Sequence, residues 1–147
     1  MRIDHGAVFP AAREALGGLE RAVRGADLDP ALLELVKVRA SQLNGCAHCL
    51  DMHTKNARAR GENEQRLHLV AAWREAPCCT ARERAALAWC ESLTLLPQTG
   101  APDDVYAEVA AVFAPKEVVA LTLAINGWNR LAVGLRSPVG DHVPRAR

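Results

Sequence analysis

The chain has 147 residues, half of them apolar and 24% charged, enough for one domain that buries about 70% of its unfolded surface. Its net charge is +1 and its basic residues sit beside acidic ones (Arg13-Glu14, Arg74-Glu75, Arg82-Glu83-Arg84), which excludes a strong field for nucleic acid or anionic lipid. No apolar run of signal-peptide length follows Met1, and the longest stretch without an ionisable residue, Val118 to Asn129, is too short to span a bilayer. A cytoplasmic protein with no membrane and no nucleic-acid partner is expected.

The periodicity is helical nearly throughout. His5 to about Arg24 forms an amphipathic helix. Asp29-Pro30 pairs an N-cap with a proline suited to the first helical position, opening a helix that carries Leu32, Leu33, Leu35, Val36, Val38 and Leu43. Asn44-Gly45 reads as a helix-helix corner. The next helix starts near Cys46 and ends at Arg60, with Gly61 as a left-handed cap. A short helix covers about 63–73, and Thr80-Ala81-Arg82-Glu83 is a capping box that starts another, reaching Leu93. Residues 97–102 read as a turn-rich connection. Asp103 and Asp104 open a helix to about Val112, and Pro115 marks a break. The last helix, from about Lys116 to Arg136, is apolar around most of its circumference and is expected to be buried on all sides, as a central helix or a subunit interface. The tail from Ser137 is expected to be irregular and mobile. The chain thus reads as a single all-α domain spanning 1–147.

Chemistry concentrates in Gly45-Cys46-Ala47-His48-Cys49-Leu50-Asp51-Met52-His53. At about 100° per residue, Cys46, Cys49 and His53 fall on one stripe of a helix, while His48 points away from it. The helix N-terminus favours thiolate over thiol, and a histidine one turn after Cys49 can accept its proton. Such a dithiol can attack a peroxide oxygen, become a sulfenic acid and be resolved by its partner. In a reducing compartment, catalysis or metal binding explains a close cysteine pair better than a structural staple does. Glu34, on the preceding helix, has two readings. It is either a buried carboxylate that accepts protons and orients an imidazole, or a surface carboxylate.

Glu34, then Cys46-x-His48-Cys49-x-x-x-His53, resembles the active-site signature of the AhpD-like alkylhydroperoxidases of the carboxymuconolactone decarboxylase superfamily. The flanks Arg39-Ala40-Ser41-Gln42-Leu43-Asn44-Gly45, Ala57-Arg58-Ala59-Arg60-Gly61-Glu62, Glu83-Arg84-Ala85-Ala86-Leu87 and Asn126-Gly127-Trp128-Asn129-Arg130-Leu131-Ala132 are similar as well. The likeness runs from about Leu28 to Arg136. It implies an all-helical fold assembled into a homo-oligomer, trimer or hexamer, and a peroxidase without metal, haem or other cofactor. Carried over, Cys49 is the peroxidatic thiol and Cys46 the resolving one, with Glu34, His48 and His53 as a proton relay. The substrate is then a hydroperoxide, and an external dithiol, a lipoylated or thioredoxin-like protein, reduces the disulfide. Helix electrostatics alone would instead nominate Cys46, nearer the N-terminus, as the more acidic thiol.

Four other readings compete. A dithiol-disulfide sensor or exchange protein would use the same cysteines with little turnover. A zinc-binding helical module has only three ligands at this spacing, since no second Cys/His pair lies nearby. The lactone decarboxylase branch is not expected to need a redox cysteine pair. A c-type haem site fails because Leu50 stands where its histidine would be. Cys78 and Cys79 read as loop or core thiols, Cys90 as a small core residue, and His5, His68 and His142 as surface residues. Trp73, Trp89 and Trp128 read as core or interface, and Asn126, Asn129 and Arg130 as polar groups in need of partners.

Overall fold

The computed structural model describes residues 1–140 and 142–144, and among them the regular structure is helical with no strand. The helices are α1 (His5–Val8), α2 (Pro10–Arg24), α3 (Pro30–Leu43), α4 (Ala47–Ala59), α5 (Glu64–Leu69) with a 3₁₀ turn (Val70–Ala72), α6 (Ala81–Thr94), α7 (Leu96–Thr99), α8 (Asp103–Val112), α9 (Pro115–Asn126) and α10 (Asn129–Leu135).

Local chemistry sets the boundaries. Asp29 accepts from the Ala31 amide at the head of α3, with Pro30 at its first position. Thr80 and Glu83 cap each other's amides at the head of α6. The expected helix from His5 to Arg24 divides at Phe9, because Pro10 restricts the residue before it, and Phe9 sits at φ −138°, ψ 69°. The expected turn at 97–102 overlaps the short helix α7, which has Pro97 in its first turn and ends at Gly100 in the left-handed region. Pro115 opens α9 rather than merely ending what precedes it.

The expected final helix is corrected in two ways. It divides at Gly127 and Trp128 into α9 and α10. Its burial is also one-sided: Val118, Ala120, Leu121, Ala124 and Ile125 face the core, while Val119, Leu123 and Val133 stay exposed. By length and composition, Pro115–Leu135 is long and apolar enough to cross a membrane, which the shorter uncharged window had not suggested. In the fold, its inner stripe is spent on packing against α2, α3 and α6. Asn126 satisfies its amide on the Thr122 carbonyl of its own helix (2.9 Å), so it needs no partner across a contact. The side chain of Asn129 lies outside the described residues.

The central helix is α3. Leu32, Leu33, Val36 and Ala40 face a core formed with α6, α8 and α9, around Ala86, Val109, Leu121 and Ile125. Leu35 and Val38 face a second core with Ala57, Leu67, Trp73 and Leu87. With both faces covered, the polar residues Glu34, Lys37 and Ser41 are buried too. Gly45, at φ +60°, makes the corner from α3 to α4 in a conformation that costs an L side chain energy. Glu34 meets both His53 and Arg60 across the pair, so α3 and α4 run antiparallel.

A polar node ties α6 to α3 and to the segment after α5. Glu91 accepts from Arg39 Nε (2.8 Å) and Trp73 Nε1 (2.9 Å) and pairs with Arg74. Burial works to raise its pKa, but the hydrogen bonds from Trp73, Arg74 and Arg39 outweigh this and hold it below 4.5. A depressed folded pKa means stabilisation that is present above the unfolded value and lost as pH falls through the folded one. Glu91→Gln is therefore expected to cost about 2 kcal/mol at neutral pH, by leaving Arg39 without its counter-charge. In urea titrations the gap from the parent should be constant above about pH 5.5 and narrow below about pH 4.5. A gap unchanged down to about pH 3 would rule out the carboxylate as its source.

Candidate active site

The first turn of α4 positions both thiols. Cys46 is its N-cap residue, in extended conformation, and its sulfur accepts from the Cys49 amide at 3.2 Å. Cys49 is the third helical residue, so the two Cα atoms lie 5.3 Å apart and the sulfurs are joined as a disulfide. Both residues are buried, in contact with Ala132 of α10. They differ in outlook. Cys49 lines a cleft of about 680 Å³ bounded by α1 to α4, α9, α10 and the tail, and Cys46 is not part of its lining.

Glu34 resolves to the buried reading, at 4% exposure. Its Oε2 is 2.8 Å from His53 Nδ1, and its Oε1 lies 3.9 Å from Arg60 Nε. Burial works to raise its pKa, but the His53 hydrogen bond, and then the charges of His53, Lys37 and Arg60, hold it below 4.5. Glu34 is accordingly ionised at neutral pH. A carboxylate can only accept, so His53 donates through Nδ1. Glu34, His53 and Cys49 all line the same cleft.

His48 also lines the cleft, but its ring is tied elsewhere. Its Nδ1 donates to the Pro138 carbonyl at 2.5 Å. The tail that the sequence presents as loose is irregular in structure, yet its described residues run back along α4. Lys55 donates to the Gly140 carbonyl (3.2 Å), and His142 Nε2 meets Asn56 Oδ1 at 2.8 Å. Asp141 and residues 145–147 lie outside the described residues.

Two histidines read as surface residues, His142 and His5, also line the cleft. Burial, and then the positive charge of Lys55, push His142 below the usual histidine range. His5 faces the Trp128 ring, 6.1 Å between centroids. No sequence signal marks either one, because each reaches the cleft from a terminus. His68 is exposed, as expected. Cys78, Cys79 and Cys90 are free thiols, and burial pushes Cys90 up to about 12, which makes it inert. Trp73 and Trp89 are core residues. Among the described residues, no group of three or more His, Cys, Asp or Glu converges to hold a metal ion.

The sequence profile of the carboxymuconolactone decarboxylase family matches residues 8–92, a span containing Glu34, both site cysteines, His48 and His53. YdfG of Bacillus subtilis (strain 168), an uncharacterized protein, is 35% identical over 137 residues, covering 91% of this chain and 93% of YdfG. Among solved structures, a protein of unknown function from Agrobacterium tumefaciens, provisionally assigned to AhpD antioxidant defence, superposes with a TM-score of 0.89. It is 42% identical and covers 96% of this chain, which covers 99% of it. The debrominase Bmp8, in complex with 2,3,4-tribromopyrrole, shares the fold with a TM-score of 0.78 at 18% identity, over 91% of this chain and 73% of its own.

The tail contacts carry a prediction. Deleting residues 137–147 removes the Pro138, Gly140 and His142 contacts and opens one side of the cleft. Dithiothreitol should then reduce the Cys46–Cys49 disulfide several-fold faster at fixed pH, since thiol exchange depends on access. Far-UV circular dichroism should stay that of the parent. An unchanged reduction rate in a folded truncation would mean that the tail does not restrict the dithiol.

Proposed function

The chain belongs to the carboxymuconolactone decarboxylase family, and on that premise we propose that it is an AhpD-like thiol peroxidase that reduces hydroperoxides through Cys46 and Cys49 without a cofactor. The observation that carries the reading is the buried Glu34–His53 pair facing the cleft that Cys49 lines. A carboxylate-fixed imidazole beside a thiol at a helix N-terminus is the arrangement that makes a thiolate at neutral pH.

In the reduced protein, His53 Nε2 takes the Cys49 proton, and ionised Glu34 offsets the imidazolium charge. The thiolate attacks the terminal peroxide oxygen, the O–O bond breaks, and the departing alkoxide takes the proton from His53 as an alcohol. Cys49 is then a sulfenic acid. Cys46 attacks the Cys49 sulfur, the S–O bond breaks, and hydroxide leaves with the Cys46 proton as water. The sum is one hydroperoxide and one dithiol converted to alcohol, water and disulfide. An external dithiol, from a lipoylated or thioredoxin-like protein, restores the thiols by exchange.

The cleft position of Cys49 favours it as the attacked thiol and Cys46 as the resolving one. His48 would serve as a second proton carrier through its Nε2, with Nδ1 committed to the tail. A reducing compartment such as the cytoplasm suits the cycle. The exposed side chains Val119, Leu123 and Val133 would supply a subunit contact in a trimer or hexamer. A dithiol-disulfide sensor would use the same sulfurs and the same pair, but without sustained turnover.

Steady turnover of cumene hydroperoxide with a lipoylated domain or thioredoxin as reductant is the expected result. Glu34→Gln should lower kcat/KM on the order of 100-fold, and Cys49→Ser should abolish turnover. After one equivalent of peroxide, dimedone should label Cys46→Ser protein at Cys49 and leave Cys49→Ser protein unlabelled. Labelling only in Cys49→Ser protein would reverse the thiol roles. A reversible disulfide without turnover under any of these reductants would replace the peroxidase by the sensor.

A further inference from the structure

The cleft over Cys49 is more cationic than the chain around it. The sequence has 18 basic and 17 acidic residues, whereas the cleft walls set five cations, Arg13, Arg21, Arg24, Lys37 and Arg60, against three carboxylates. Those carboxylates are already committed. Asp4 accepts from the Gly6 and Ala7 amides (3.0 and 3.1 Å). Glu20 pairs with Lys37 (2.5 Å) and Arg24 (3.5 Å), and Glu34 with His53.

Two guanidinium groups are left over, and a third, that of Arg60, has only the 3.9 Å pair with Glu34. Among the described residues, Arg13 and Arg21 have no carboxylate within ion-pair distance. They lie eight residues apart on α2, just over two helical turns, and so share its cleft-facing side. Arg60 Nε is enclosed and has no hydrogen-bond partner, the nearest carboxylate oxygen being 3.9 Å away. The same cleft also has an apolar lining, from Met52 of α4, Ala124 of α9 and Trp128 and Ala132 at α10. Its volume, about 680 Å³, falls in the range of small-molecule sites.

Unpaired guanidinium groups, apolar side chains and a cysteine lining one cleft suit a molecule with an anionic head and a hydrocarbon body. We propose that this cleft takes an organic hydroperoxide that bears a carboxylate, with the acid group held by Arg13 and Arg21 at the mouth and the hydrocarbon body laid on Met52, Ala124 and Trp128. The inference rests on the peroxidase reading for the fate of the O–O bond, but the carboxylate site stands or falls by itself. Guanidinium–carboxylate pairs are charge-assisted and often bidentate. Arg13 and Arg21 are exposed at the rim, so their effect is modest and salt-sensitive.

The test compares linoleic acid hydroperoxide with its methyl ester, which differs only in the charge of the head. The acid should be favoured in kcat/KM by about tenfold at low salt, and less at high salt. Arg13→Gln with Arg21→Gln should bring the ratio near one, whereas Lys116→Gln, outside the cleft, should leave it as in the parent. Binding is measured separately by calorimetry, with the corresponding hydroxy acid and its methyl ester on protein carrying Cys46→Ser and Cys49→Ser. Equal turnover and equal binding of acid and ester would overturn the carboxylate site and leave the peroxidase intact. No turnover with tighter binding of the acid would overturn the peroxidase and uphold the site. Absence of both turnover and preference would remove both.

Discussion

Two charges on a helix that is buried on every side govern this structure. Glu34 and Lys37 lie three residues apart on α3, at 4% and 6% exposure. A charge removed from water costs several kcal/mol unless it is paired and hydrogen-bonded, so each demands a partner from a neighbouring element. Glu20 of α2 answers Lys37, and His53 of α4 with Arg60 beside it answers Glu34. The two demands pin α2 and α4 around α3 and leave the cleft between them. The apolar residues of α3 supply the burial, but they do not by themselves fix which polar groups face one another.

The same pairing orders one side of the cleft that Cys49 lines. Glu34 is held below the usual carboxylate range chiefly because His53 outweighs the effect of burial. The carboxylate in turn makes Nδ1 of His53 the donor in the pair. The corner at Gly45 brings the α4 N-terminus alongside, so that the helix dipole and the imidazole act on one small region. The tail adds a constraint from outside, holding the other ring nitrogen system, that of His48, through the Pro138 carbonyl. Each element contributes one restriction, and the cleft is where they coincide.

Much of this was legible in the chain, for identifiable reasons. Caps and prolines are local chemistry, so Asp29-Pro30 and the Thr80–Glu83 box marked helix starts that the fold keeps. The spacing of Cys46, Cys49 and His53 is local too, and it put them on one face of a single helix. Apolar residues around a circumference were weighed for 116–136, as a central helix or a subunit interface, and not for α3, which is the central one. Yet Leu32, Leu33, Leu35, Val36 and Val38 surround α3 in the same way, while Gly127 interrupts the later stretch. Phe9 shows the same limit at small scale, since Pro10 forces a break that amphipathic periodicity runs straight through.

By itself, then, the sequence determined the helical class, the dithiol at a helix start and the identity of the residues that could serve it, because those depend on neighbours within one or two turns. Tertiary structure alone decided between the two readings of Glu34, since burial comes from elements distant along the chain. It also turned Cys49 and not Cys46 toward the cleft, and it brought His5, His142 and the α2 arginines there from segments with no local link to the thiols. The Glu34–His53 contact spans 19 positions, and the His48–Pro138 contact spans 90. Periodicity reports which face of a helix is apolar; only packing determines what that face meets.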